Sequence, residues 1–262
     1  METPSPEHVA AVAGGEVAVA IADGVATIRF GHPKGNSLPG ELLRHLARTI
    51  ATVGQTPDVR VIVLRSDGSG PFCAGASFDE LVSIGTPEEG ETFFSGFSQV
   101  ILAMIRTPQF VIVRIHGRAA GGGIGIAAAA DYAVAVRSAS VKLSELAVGI
   151  GPFVVGPVIA RRVGMGPFMA MSVDADWRDS AWCESHGLFA RVLDDVTAMD
   201  GAITALAATL AASNPDAMRR MKAVAWQGTE DWDTLLAERA RMSGTLVLSD
   251  FTRQAIAKFK AK

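Results

Sequence analysis

Cysteine is nearly absent from this chain: Cys73 and Cys183 are the only two among 262 residues. Neither belongs to a C-x-x-C pair, which argues against a disulfide framework and against a zinc site of the usual spacing. A surplus of positive charge is also missing. Lys and Arg number 24 against 27 Asp and Glu, a formal charge of −3, so neither nucleic acid nor an acidic membrane surface is expected as a main partner. Long apolar runs are lacking too, because charged or turn residues interrupt each one before it reaches bilayer length. The opening Met1-Glu-Thr-Pro-Ser-Pro-Glu-His8 has neither the basic nor the apolar region of a secretory signal. The expectation is a cytoplasmic globular protein. With 49% hydrophobic and 19% charged residues, it can build a substantial core as an α/β domain with an appendage.

The chain has clear punctuation. Residues 1–15 read as a flexible leader. Two alternating runs within Glu16 to Phe30 then meet at Asp23-Gly24, a hairpin signal. After the loop His32-Pro-Lys-Gly-Asn-Ser37, Pro39 is placed to open a helix reaching about Val53, with Leu42, Leu43, Leu46 and Ile50 on one face. A buried strand is expected over 59–64, a helix over 87–106 ended by Pro108, and strands over 110–115 and 132–136. From Arg161 onward the pattern is nearly all helical, with helices near 175–186, 197–212, 215–226, 230–244 and 249–261, and a soft boundary falls near residue 195. These last helices suit an oligomerisation element.

The most distinctive stretch is His116-Gly-Arg-Ala-Ala-Gly-Gly-Gly-Ile-Gly125, between a predicted strand and a predicted helix. Such a backbone can come close to a ligand, and a helix N-terminus favours a phosphate, a carboxylate or a developing oxyanion. Three readings are open. Gly123, Gly125 and Ala128 match a relaxed dinucleotide fingerprint, but its helix is short and Glu145 falls past the next strand rather than at its end. The glycines could serve only tight helix–strand packing. Alternatively, they form an oxyanion site.

A combination of motifs favours the third. Phe72-Cys-Ala-Gly-Ala76 after one strand, Ala120-Gly-Gly-Gly-Ile124 after another, and Leu143-Ser-Glu-Leu-Ala-Val-Gly-Ile150 some twenty residues later resemble, in that order, the crotonase (enoyl-CoA hydratase/isomerase) superfamily. Pro33-Lys-Gly-Asn-Ser-Leu38 resembles that family's early CoA-contacting loop. The resemblance implies an α/β fold, a crotonase-like spiral of β-β-α units over residues 16–195. It also implies a C-terminal helical trimerisation region over 196–262, giving a homotrimer or a hexamer of paired trimers.

The same resemblance implies an acyl-CoA substrate, no separate cofactor and no metal. Backbone N–H groups of Ala76 and Gly122 would hold the thioester oxygen, and Glu145 would move the proton. CoA and substrate contacts would fall to Lys34, Ala74, Phe78, Gly121 and Phe153, and Lys258 and Phe259 would help cover a neighbouring subunit's nucleotide. One position departs from the pattern: hydratases of the family carry a second glutamate where this chain has Gly125. A lone glutamate still suits carbon-to-carbon proton transfer, and Gly125 is expected to clear room for a bulkier or polar acyl group. Hydration, decarboxylation, thioester hydrolysis, retro-Claisen cleavage and non-catalytic acyl-CoA binding stay open. Of the other acids, Asp79, Glu80, Glu88, Glu89 and Glu91 read as solvated helix faces and Asp131 as structural. His116 reads as a packing residue, and Cys73, with no base nearby, is not read as a nucleophile.

Overall fold

The computed structural model describes residues 8–260. It opens with an antiparallel meander of β1 (His8–Val12), β2 (Gly15–Ala22) and β3 (Val25–Gly31). The leader is therefore shorter than expected, since β1 pairs with β2 from His8↔Val19 to Val12↔Gly15; residues 1–7 lie outside the described residues. Its turn, Ala13-Gly14, has φ of 51° and 76°, close to the expected Asp23-Gly24 turn at 50° and 76°. Both are two-residue connections with positive φ at both central positions, which match strand twist. Alanine rarely signals such a turn, so the first hairpin is hidden in the sequence.

Four β-β-α units follow. The first is β3, β4 (Ser37–Leu38) and α1 (Gly40–Gly54). The second is β5 (Val61–Ser66), β6 (Gly75–Ala76), α2 (Phe78–Ser83) and α3 (Pro87–Arg106). Next come β7 (Phe110–Ile115), β8 (Ala119–Ala120) and α4 (Gly122–Ala129). The last comprises β9 (Tyr132–Val136), β10 (Ser140–Lys142), a 3-10 turn at Leu146–Val148 and α5 (Gly156–Val163), extended by α6 (Met165–Asp174). Then come β11 (Arg178–Asp179), α7 (Ser180–Ser185) and β12 (Arg191–Leu193). The final helices are α8 (Val196–Ala211), α9 (Pro215–Ala225), α10 (Trp232–Leu246) and α11 (Asp250–Lys260).

Each unit gives its long strand to one sheet, ordered β1-β2-β3-β5-β7-β9-β12 and parallel from β3 onward. Its short strand goes to a second layer of small ladders, β11-β10-β8 and β4-β6. The expected spiral is thus present. Strands such as β7 are apolar on both faces because a parallel sheet is covered on both sides. Leu42, Leu43, Leu46 and Ile50 of α1 are fully buried, as the stripe required. Helix α3 begins with Thr86 and Glu89 in a reciprocal capping box and Pro87 in its first turn, a start worth about 1 kcal/mol.

Two helices, α5 and α6, have no range of their own among the expected helices, although the helical pattern from Arg161 onward runs through α6 and the end of α5. Their Gly/Pro-rich sequence imitates a loop, yet Arg162 of α5 caps the end of α4 through the Ala128 and Ala130 carbonyls. The C-terminal helices pack on their own chain. A methyl built on Gly90 of α3 would lie 2.6 Å from the Gly244 Cα of α10, and one on Gly149 would lie 2.5 Å from the Phe251 ring of α11. Helix α11 therefore lies on the 3-10 turn and on α2 of the same molecule. Lys258 is exposed, and the Phe259 side chain lies outside the described residues. Among the described residues no single helix is long and apolar enough to cross a membrane.

Candidate active site

The second and third units each deliver a short strand and then a helix start to one cleft. In the β4–β6 ladder the Ser77 N–H donates to the Leu38 carbonyl at 3.2 Å. Amides alternate sides along a strand, so the Ala76 N–H faces the opposite edge. That edge meets the glycine turn, because a methyl on Gly75 would lie 3.0 Å from the Ala120 carbonyl oxygen and 3.8 Å from the Gly122 nitrogen. Gly122 opens α4, so its N–H is among the donors a helix start leaves without an intrahelical acceptor. Two amides and the positive end of α4 thus converge where an oxyanion can be held.

Gly121 shapes this turn. Its φ of +50° with ψ of −120° suits glycine alone, and a Cβ there would lie 3.0 Å from Glu145 Oε1. The Glu145 carboxyl therefore rests directly on the backbone of the turn. Glu145 as a residue is only half-buried, yet its Oε2 is out of reach of solvent and has no hydrogen-bond partner. Burial raises its pKa from 4.5 to about 7, partly offset by the N–H groups of Glu145 and Ser144. A carboxyl in this state can accept a proton and return it near neutral pH.

The cleft has a cavity of about 70 Å³, and Ala74, Ala76, Phe78, Gly121, Gly122, Glu145 and Phe153 all line it. Lys34 does not. It is exposed and paired with Asp79, the neighbour of Phe78, so it stands outside the wall. Sequence reasoning missed Phe94 and Phe97, assigned only to the helix core, and also Val148, Val155 and Ser243. Phe97 lies against Gly122, where an added methyl would come within 2.0 Å of its ring. Ser243 arrives from α10, almost a hundred residues beyond Glu145, with no local signal.

The expected space at Gly125 is not there. A Cβ on Gly125 would lie 2.5 Å from Val155 Cγ1 and 3.5 Å from Ile101 Cδ1. Val155 occupies the room a longer side chain would need. The wall is apolar, and the expectation of a roomier or polar acyl pocket at this point is corrected. Nor does another acid among the described residues replace the missing one. Glu80 accepts from the Gly40 N–H at 2.7 Å, Glu89 caps α3, Glu91 pairs with Arg241, and Asp131 binds the Val111 N–H, Trp226 and Lys222. Glu145 is the one ionisable side chain among the cleft-lining residues. Cys73 is buried with its thiol pushed up to about 12 by desolvation, so it is a packing residue at neutral pH. His116 is outside the lining, and burial together with the Arg114 and Arg65 charges lowers its pKa.

A family model described as Enoyl-CoA hydratase/isomerase matches residues 20–262. The methylglutaconyl-CoA hydratase of Rattus norvegicus mitochondria is 33% identical over 87% of this chain and 73% of its own. The 1,2-epoxyphenylacetyl-CoA isomerase of Escherichia coli is 27% identical over 68% of this chain and 70% of its own. An enoyl-CoA hydratase crystal structure from Bacillus halodurans superposes with a TM-score of 0.85 at 18% identity, covering 92% of this chain and 99% of that one. Matched by that family model over most of its length and folded as a spiral of β-β-α units, the chain belongs to the enoyl-CoA hydratase/isomerase family and has the crotonase fold.

Proposed function

We propose that this acyl-CoA enzyme moves a double bond by proton transfer, with Glu145 as its single acid–base group. The observation that carries the reading is Val155 packed against Gly125, where family hydratases have their second glutamate. In the proposed reaction the Glu145 carboxylate takes a proton from C2 of a 3-enoyl-CoA. The electron pair moves toward the thioester oxygen, held by the N–H groups of Ala76 and Gly122, and the same proton returns to C4 to give the 2-enoyl-CoA. Each oxyanion donor contributes roughly 3–4 kcal/mol in the transition state. No cofactor takes part, since the thioester is itself the electron sink. Lys34, Ala74, Phe78, Gly121 and Phe153 serve CoA and the acyl group, and the aromatic lining of Phe78, Phe94, Phe97 and Phe153 favours an apolar acyl chain.

The test is a pair of incubations in deuterated water with 2-enoyl-CoA and 3-enoyl-CoA, followed by mass and ultraviolet analysis. Double-bond migration that is lost in Glu145→Gln supports the reading. Addition of water without migration, or undiminished turnover in Glu145→Gln, overturns it. Hydration is the second reading, favoured by the 33% identity to a methylglutaconyl-CoA hydratase. We also propose that the protein is cytoplasmic and works as a homotrimer or hexamer, supported by apolar residues left exposed on α6 (Met165, Met169, Val173) and α9 (Met221, Val224).

A further inference from the structure

Away from the cleft, α8 crosses the large sheet and leaves a groove of about 650 Å³ that shares no lining residue with the active site. Its floor is Val25, Thr27 and Val63 of β3 and β5, and its far wall is Ile203, Ala207 and Ala208 of α8. One end is cationic. Register pairs Arg29 of β3 with Arg65 of β5, and Arg65 with Arg114 of β7, so three arginines stand in a row across adjacent parallel strands. Like charges placed side by side repel, and each needs a counter-charge.

The outer two have one. Arg29 pairs with Glu16 at 2.8 Å and with Asp67 at 2.5 Å, and Arg114 is gripped by Asp200 at 2.5 and 3.1 Å. Arg65, in the middle, does not. Among the described residues no carboxylate lies within 4.0 Å of its guanidinium, and its buried Nε has no hydrogen-bond partner. The other charged groups on the groove are Asp200, already engaged by Arg114, and Asp23, in the β2–β3 turn beside Val25, which lies four residues along β3 from Arg29. Arg29 and Val25 are on the order of 13 Å apart at 3.3 Å per residue.

We propose that this groove binds an amphipathic monocarboxylate, with Arg65 on the carboxylate and a medium-length alkyl chain along Val63, Val25 and the alanines of α8. The guanidinium fork suits a carboxylate, and the small side chains of α8 leave room for a chain of methylenes. A free carboxylic acid bears the charge that its CoA thioester lacks at that carbon. The site therefore takes the free acid and not the thioester.

Calorimetric titration of the whole protein with sodium octanoate tests this, with 1-octanol as the same chain without the charge. Octanoate should bind saturably, and 1-octanol should bind about tenfold or more weakly. Arg65→Gln should weaken octanoate by a similar factor, and Arg65→Lys by less. Ala208→Phe, which fills the groove from an exposed helix position, should abolish binding and decides the matter if Arg65→Gln fails to fold. Absent octanoate binding, or affinity unchanged in Arg65→Gln or Ala208→Phe, overturns the proposal. So does a change of oligomeric state in Arg65→Gln without octanoate binding to the wild type, which assigns the groove to a subunit contact.

Discussion

Replacing Glu145 by glutamine has opposite expected effects on activity and on stability, and the second can be worked from its surroundings. Burial lifts the carboxyl from 4.5 to about 7 in the folded protein. The unfolded chain releases that proton at the lower value, so between about pH 4.5 and pH 7 the folded state holds more protons. Stability therefore falls as pH rises through this window. Above it, the full cost of keeping the carboxylate buried is about 3 kcal/mol. Glutamine carries no charge at any pH and escapes this cost. Glu145→Gln should therefore unfold at a temperature higher than wild type by about 5 °C at pH 8.5 and close to wild type at pH 4.5. Turnover in the proposed isomerisation should drop about 10²- to 10⁴-fold, the usual contribution of a positioned acid–base group. Wild-type kcat/KM should rise with pH through about 7 as the base form appears. Thermal scans at the two pH values, run on both proteins at equal concentration, measure the difference. An equal offset at both pH values, or a less stable variant at pH 8.5, would refute the buried-carboxylate argument.

Three further outcomes follow from the same geometry. Gly125→Glu alone should lose about 1–3 kcal/mol in urea unfolding because its Cβ meets Val155 at 2.5 Å; adding Val155→Gly should recover part of that loss and confer measurable hydration of a 2-enoyl-CoA, and a double variant without hydration would show that a second carboxylate is insufficient. Gly121→Ala puts a methyl at positive φ 3.0 Å from Glu145 Oε1, so kcat should fall at least about tenfold with the fold retained by circular dichroism; wild-type kcat would disprove contact between turn and acid. Lys222→Met removes a buried ammonium bound to the Met104 and Gln109 carbonyls, each at 2.7 Å, and to Asp131 at 2.8 Å. It should cost about 3–5 kcal/mol because Asp131 is left buried without its cation, and a loss below about 1 kcal/mol in denaturant titration would contradict that pairing.

Much of the fold was legible because its signals are local. Thr86-Pro87 and Glu89 mark the start of α3, Pro108 follows its end, and β7 and β9 fall on the expected residues 110–115 and 132–136. Elements whose chemistry imitates something else were not. Ala13-Gly14 turns without a turn-forming first residue, and Gly156-Pro157 and Gly166-Pro167 hide where α5 and α6 begin, even though the pattern from Arg161 onward is helical and Arg162 ties α5 to the end of α4. In the cleft, Ala74, Ala76, Phe78, Gly121, Gly122, Glu145 and Phe153 were found through ordered motifs, and six of these seven flank a strand end or a helix start. Phe97 and Ser243 face the cleft from helices whose apolar stripes look like ordinary core, and Lys34 turned out to stand outside it.

By itself the sequence determined most of the longer strands and helices, the absence of a cysteine framework and the placing of one acid beyond a triple-glycine turn. These depend on spacing within a few tens of residues, where backbone preference and hydrophobic period act directly. Only the tertiary structure decided that Val155 occupies the room in front of Gly125, that Glu145 is desolvated against Gly121, that α11 closes over its own chain, and that Arg65 is left between two paired arginines. Each is a matter of which atoms meet across long stretches of chain. Close packing leaves no room for both a valine and a longer side chain at one point, and the cost of a buried charge depends on every group around it.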